Sequence, residues 1–332
     1  MHEFGGNRDP HQYAQEVLDH SQEVLGRAVE VVSPHNPNAD PLEVFPASGE
    51  RRADDVGLVL SSEQEQDLRS IAAELGFGRL ADQTPSELGL YGACMVLEGG
   101  QAHKTLAEAG LVLDDAGTTP SMLVFSASGH RRVGDAEAET TSRILGVPVE
   151  QVGETEYDVA AQVASHLPGY EGLAQPEVLP WGYDINDGFS LTEGPSGQLV
   201  RVGTIGDIPV VLLRVDRQDY VDDATGKPRY RNQPGTAEVI GIVDAVQRDR
   251  GDIDTPIAFV TSSTYEASRL PDAMCASLTT GRIVGVPTYG AQRLAEVKGE
   301  PLPAPAPINQ LPGEFNRMAA QVKKLAEVLD RE

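Results

Sequence analysis

Residues Met122 to Gly146 read MLVFSASGHRRVGDAEAETTSRILG, and this stretch decides the fold class. MLVF is a short apolar run of the kind that makes a buried strand, and Ser126-Ala127-Ser128-Gly129 after it is a turn of small residues. Asp135 reads as the N-cap of a helix with Glu137 and Glu139 in its first turn. The stretch is therefore a βα unit whose loop carries His130, Arg131 and Arg132. In open α/β sheets, the carboxyl end of a parallel strand just before a helix start is where anionic ligands bind. The same cations also serve as solvated charges balancing the acidic helix behind them, and the loop by itself does not choose between the two roles.

The pattern recurs on both sides. Upstream, Gly92 to Leu97 (GACMVL) reads as a strand, followed by Glu98-Gly99-Gly100-Gln101-Ala102-His103-Lys104 and a helix to about Leu113. A glycine pair after a buried strand lets backbone amides approach a ligand. The segment is neither a P-loop, since no glycine precedes Lys104, nor a GxGxxG fingerprint. Downstream, Val147 to Val152 reads as a short strand, and Thr155 with Asp158 opens a helix that stops at Pro168-Gly169. A helix from Thr236 to about Arg248 turns Val239, Ile240, Ile242, Val243 and Val246 inward. Strand Pro256 to Val260 then ends in hydroxyls, with Tyr265 and Arg269 beyond, and Ile283 to Val286 reads as a last strand. This alternation predicts an α/β fold: a mostly parallel, Rossmann-like sheet with helices on both faces and right-handed crossovers.

The flanks are helical. Residues 11 to 32 carry an apolar stripe from Val17 to Val32, and Ser33 to Asp55 is a polar, proline-containing connection. Ser62 with Glu65 makes a capping box, and Thr84 with Glu87 repeats the signature for a very short helix. Residues 168 to 198 have no period and read as an insertion or lid. Gln198 to Ile205 and Pro209 to Val215 flank Gly206-Asp207 as a hairpin, and Asp219 to Arg231 is a polar turn in which residues 224 to 227 could close a second one. Pro301 to Pro307 is a stiff linker to a C-terminal helix with Phe315, Met318, Val322, Leu325 and Leu329 on one face. The expected division is an N-terminal helix and linker over 1–55, an α/β domain over 56–300 with an insertion and β-hairpin at about 168–231, and a linker and helical extension over 301–332.

The chain has 332 residues, 26 Lys and Arg against 51 Asp and Glu, and a formal charge of −25. That field opposes phosphate backbones and anionic lipid, so no nucleic-acid or membrane partner is expected; a small anion remains compatible where the few cations converge. Cys94 and Cys275 lie far apart in apolar segments without CxxC spacing, which suggests neither a disulfide framework nor a zinc site. The polar start lacks the apolar region of a secretory signal, and a cytoplasmic protein is expected. A homo-oligomer stays open.

Several separated features form one ordered set. They are Gly99-Gly100, then Ser128-Gly129 with Glu137-Ala138 and Gly146-Val147-Pro148, then Thr236-Ala237-Glu238, then Val260-Thr261-Ser262 through Tyr265 to Arg269. The set resembles the bacterial YdcF/SanA/ElyC-like family, a domain of unknown function, over roughly residues 90 to 290. The histidine usual in that family after the tyrosine is Glu266 here, and residues 168 to 230 have no counterpart. The resemblance implies a Rossmann-like fold and a nucleotide-type ligand, S-adenosylmethionine among the candidates, with the soluble YdcF-like branch as the nearer comparison.

The candidate ligand-binding residues are Gly99, Gly100, His103, Lys104, Ser128, Gly129, His130, Arg131, Glu137, Thr261, Ser262, Tyr265 and Arg269. Arg131 and Arg269 are expected to dominate anion affinity, while Arg282, at the edge of a core strand, is not. His103 and His130 without a third spaced ligand do not make a metal site, and no GxSxG elbow surrounds Ser126 or Ser128. Two readings follow: a small-molecule binder or enzyme holding an anionic or nucleotide-like ligand at the carboxyl ends of the strands, or a non-catalytic regulatory protein with a vestigial pocket.

Overall fold

The computed structural model describes residues 9–45, 60–129, 131–173, 177–178, 181–184, 190–193, 199–215, 219–221, 228–230, 235–302 and 311–331. His130, the later part of the first linker, the 222–227 turn and most of the proline-rich linker lie outside the described residues. The strands are β1 (Cys94–Glu98), β2 (Met122–Ala127), β3 (Tyr170–Leu173), β4 (Glu177–Val178), β5 (Trp181–Asp184), β6 (Ser190–Glu193), β7 (Leu199–Ile205), β8 (Ile208–Arg214), β9 (Asp219–Val221), β10 (Pro228–Tyr230), β11 (Ile257–Ser262), β12 (Val284–Gly285) and β13 (Thr288–Tyr289). The helices are α1 (Pro10–Val32), α2 (Pro41–Val44), α3 (Ser62–Glu74), α4 (Ala102–Leu113), α5 (Asp135–Leu145), α6 (Glu156–His166), α7 (Thr236–Asp249), α8 (Glu266–Thr280), α9 (Ala291–Lys298) and α10 (Leu311–Leu329).

A nine-stranded mixed sheet runs in the order β12-β11-β1-β2-β8-β7-β3, with β13 also beside β11 and β4 beside β7. Its centre, β11-β1-β2-β8, is parallel throughout, while β7 joins β8 antiparallel. The expected α/β class with a mostly parallel sheet is what the chain adopts. Successive residues of a strand point to opposite faces, so each central strand must be apolar on both. Cys94, Val96, Val124, Val211, Leu213, Ile257 and Phe259 pack with α1, α7, α8 and α10. Met95, Leu97, Leu123, Phe125, Leu212, Ala258 and Val260 pack with α4 and α6.

The chain runs from β1 to β2 to β8 in one direction and then returns to lay β11 on the other side of β1. The strand order therefore reverses at β1 and β11, and in open parallel sheets a crevice forms at the carboxyl ends where such a reversal occurs.

Several local expectations need correction. Val147 to Val152 is a 3-10 turn at Val149–Gln151, not a strand. Gly146 closes α5 in the left-handed conformation, and Pro148, which has no N–H to give a ladder, accepts at its carbonyl from Gln151. The first capping box lies one residue upstream of the expected one: Ser61 accepts from the Gln64 amide at 3.2 Å, and Gln64 accepts from the Ser61 amide at 2.9 Å. Gln64 also donates to the Val31 carbonyl at 2.7 Å and so ties α3 to α1, a tertiary bond that selects between adjacent serines. Gly134, not Asp135, is the N-cap of α5, with Glu137 accepting from its amide at 3.2 Å. Thr84 and Glu87 form their reciprocal bonds on a turn, not on a helix.

The 168–198 segment contains short strands, of which β3 and β4 pair with β7. The β7–β8 hairpin forms around Gly206-Asp207 as expected, yet it is not peripheral. β8 extends the parallel row beside β2, because Val210 to Leu213 are buried on both faces. β9 and β10 pair antiparallel across 222–227. Cys94 and Cys275 are buried free thiols, and burial pushes both up to about 12. Among the described residues, no helix is long and apolar enough to cross a membrane.

Candidate functional site

The site is built from the first βα junction. β1 ends at Glu98, and the Gly99 amide donates 2.7 Å to the Ser126 carbonyl of the neighbouring strand. A Cβ on Gly99 would lie 2.8 Å from that carbonyl oxygen and 2.9 Å from Ala127 Cβ, so only glycine fits without displacement. Gly100 has φ of +152°, and a Cβ there would lie 2.6 Å from Glu156 Oε1. The glycine pair thus folds the chain tightly over β2 and leaves room for a carboxylate. Helix α4 starts straight afterwards with Gln101 as N-cap, and no side chain caps its first amides. Gln101 and Lys104 of this helix end line the crevice, which therefore lies near the positive end of the helix dipole. Lys104 stands in that first turn, 5.5 Å from the centre of the Tyr265 ring.

The crevice is a cavity of about 530 Å³ at the carboxyl ends of the central strands. One wall comes from the β1–α4 and β2–α5 loops and the start of α6: Glu98, Gly99, Gly100, Gln101, Lys104, Ser126, Ser128, Arg131 and Glu156. The other comes from the end of β8, from α7, β11 and α8, and from the C-terminal helix: Val215, Gly235, Thr236, Val239, Phe259, Tyr265, Ser268, Arg269, Arg317 and Gln321.

Most cations here already have counter-charges. Arg131 pairs with Glu156 and, at 2.8 Å, with Glu137. Burial works against its charge, but the bonds and attraction of the two glutamates outweigh that and hold its pKa above the ordinary value. Burial likewise works against Glu137, whose carboxyl is nevertheless lowered by bonds from Arg131, the Gln101 amide group at 2.7 Å and the Gly134 backbone. Arg269 pairs with Glu98 and lies 5.9 Å from the Phe259 ring centre, and Arg317 pairs with Glu314. Lys104 makes no ion pair among the described residues. Behind Glu98 lies Glu108 of α4, 1% exposed; burial first, and the charge of Glu98 second, push its carboxyl well above the usual range.

Of the candidate residues, Gly99, Gly100, Lys104, Ser128, Arg131, Tyr265 and Arg269 line this one cavity. Glu137 stands behind it, acting through Arg131 and Gln101. Thr261 is buried with its hydroxyl 3.4 Å from Glu98 Oε2. Ser262 bonds toward Tyr289 and to the Thr264 amide at 3.3 Å. Gly129 does not line the cavity; the Arg214 side chain at the end of β8 lies directly against it, where a side chain would collide. His103 is not among the lining residues either. Burial, then Lys298 and Lys104, push it down to about 4, so it is uncharged at neutral pH. Arg282 is fully buried on Asp244 and is not among the residues that line the cavity.

Glu98, Gln101, Glu156, Phe259, Arg317 and Gln321 were not legible as site residues. Glu98 had a signal, a charge between a buried strand and a glycine pair. Glu156 reads as an ordinary first-turn acid, and nothing in α10 distinguishes Arg317 or Gln321 from any other polar face. Among the described residues, no cluster of His, Cys, Asp and Glu could hold a metal ion. No family model, no curated protein and no solved structure matches this chain.

Proposed function

We propose that the protein binds a small anionic ligand in the cavity at the carboxyl ends of β1, β2 and β11. The observation that carries this is the α4 amino terminus: its amides have no side-chain cap, a glycine pair brings the backbone close, and Lys104 beside them has no ion-pair partner among the described residues. Uncapped amides, a helix dipole and an uncompensated ammonium together favour a carboxylate or phosphate. Arg131 and Arg269 then orient the site through their glutamates, and Lys104 supplies the direct charge. The resemblance to YdcF-like proteins points toward nucleotide-type ligands, with S-adenosylmethionine as one case to try.

Thermal denaturation against phosphate, sugar phosphates, nucleotides and S-adenosylmethionine tests the proposal. A ligand at 100 times its Kd adds about 2.7 kcal/mol of stability. Lys104→Met should reduce that stabilisation, and absence of any stabilisation by every anion in the set would end the reading.

A further inference from the structure

The two walls of the cavity differ in chemistry, and the difference specifies the ligand. This inference rests on the anion reading of the α4 end. About 530 Å³ is space for a drug-sized molecule, far more than an inorganic anion fills. The wall away from α4 presents Val215, Val239 and Phe259, and its arginines, Arg269 and Arg317, are each paired with a glutamate. The same wall carries Thr236 Oγ1, Gln321 Oε1 and Arg269 Nε, buried atoms with no hydrogen-bond partner, whereas among the described residues no such atom belongs to a residue lining the α4 wall. Buried polar groups are nearly always paired in folded proteins. Unpartnered ones clustered on one wall of a cavity are most simply completed by its occupant.

We propose that the ligand is an organic acid with a single anionic group at the α4 terminus and an uncharged, largely apolar body against the α7/α10 wall. That body carries a hydrogen-bonding group for Thr236 or Gln321. A second anionic group is disfavoured, because Glu98 and Glu156 line the cavity beside the first.

Calorimetry with three probes, inorganic phosphate, phenyl phosphate and pyrophosphate, tests this on the full chain. Phenyl phosphate should bind at least ten-fold more tightly than phosphate, and pyrophosphate no more tightly than phosphate. Val239→Thr, close to isosteric, and Gln321→Leu should change phenyl phosphate affinity by several-fold and leave phosphate affinity unchanged. Circular dichroism confirms that each variant folds, and the comparison of probes on the unmutated protein stands even where a variant does not. Phosphate binding without gain from the phenyl ring, or with a gain for pyrophosphate, overturns the two-part ligand alone. If no probe binds, the anion reading falls, and this inference with it.

Discussion

Glu98, the last residue of β1, forms an ion pair with Arg269 in the first turn of α8, and so bridges the reversal of strand order at the centre of the sheet. The two side chains are 37% and 29% exposed, so the pair contributes little to stability, under about 1 kcal/mol. Its effect on the cavity is larger, because Glu98 neutralises a cation that a ligand anion would otherwise meet. Glu98→Gln should raise phosphate affinity several-fold with little change in melting temperature. Calorimetry beside a thermal melt checks both halves, and a weaker phosphate affinity in the variant would contradict the assignment.

Lys104 and Arg282 should separate binding from folding. Lys104→Ala should weaken phosphate binding by about ten-fold or more, as expected for loss of a charge-assisted bond of roughly 1.5–3 kcal/mol, with stability nearly unchanged. Arg282, with a side chain 1% exposed, donates 2.6 Å to Asp244 and to the carbonyls of Asp252 and Thr255 at 2.6 and 3.0 Å. Arg282→Ala leaves Asp244 with Arg248, at 2.8 Å, as its remaining arginine partner and leaves the Asp252 and Thr255 carbonyls without this donor, and should cost about 1–3 kcal/mol in denaturant unfolding. Any phosphate affinity it retains when folded should match that of the unmutated protein.

Gly100→Ala should lose both stability and binding. The residue sits at φ of +152°, and a methyl there meets Glu156 Oε1 at 2.6 Å, so Glu156 and its partner Arg131 must move. A cost of about 1–3 kcal/mol is expected. Gly134→Ala is the control: φ is −78°, and a methyl there meets nothing within 4 Å. Its unfolding free energy should fall by no more than about 1 kcal/mol, the usual cost of alanine at an N-cap.

Glu108 makes stability depend on pH with a definite sign. Burial raises its folded pKa well above the ordinary carboxylate value of 4.5, so the folded state binds the proton more tightly than the unfolded chain does. The contribution of this group is fully present below pH 4.5 and is lost as pH rises through the folded pKa. Glu108→Gln, which cannot ionise, should flatten that fall. Denaturant unfolding at a series of pH values from 4 to 8 measures it, and parallel curves for the two proteins would refute the assignment.

The α/β class and the order of the central elements were legible because they depend on local periodicity. Ala93 to Leu97 and Met122 to Phe125 are apolar on every residue, as a strand buried on both faces requires, and the capping pair at Thr155 and Asp158 marks a helix start within a few residues of chain. The glycine pair and Lys104 line the cavity because they follow the carboxyl end of β1, a placement that the strand-then-helix pattern already implied. Which serine caps α3, and that Val147 to Val152 is a turn, depended on the Gln64 bond to Val31 and on the geometry around Gly146 and Pro148.

The sequence by itself determined the alternation of strands and helices and the acidic balance of the chain, because each is a property of neighbouring residues or of a sum over them. Only the tertiary structure decided that β8 joins the parallel row, that α10 brings Gln321 to the cavity, and that Arg131 and Arg269 are already neutralised by Glu156 and Glu98. Each of these joins residues far apart in the chain. Glu98 and Arg269 are separated by 171 positions, and the attraction between two charges is set by their distance in space, which only the return of the chain from β8 to β11 fixes.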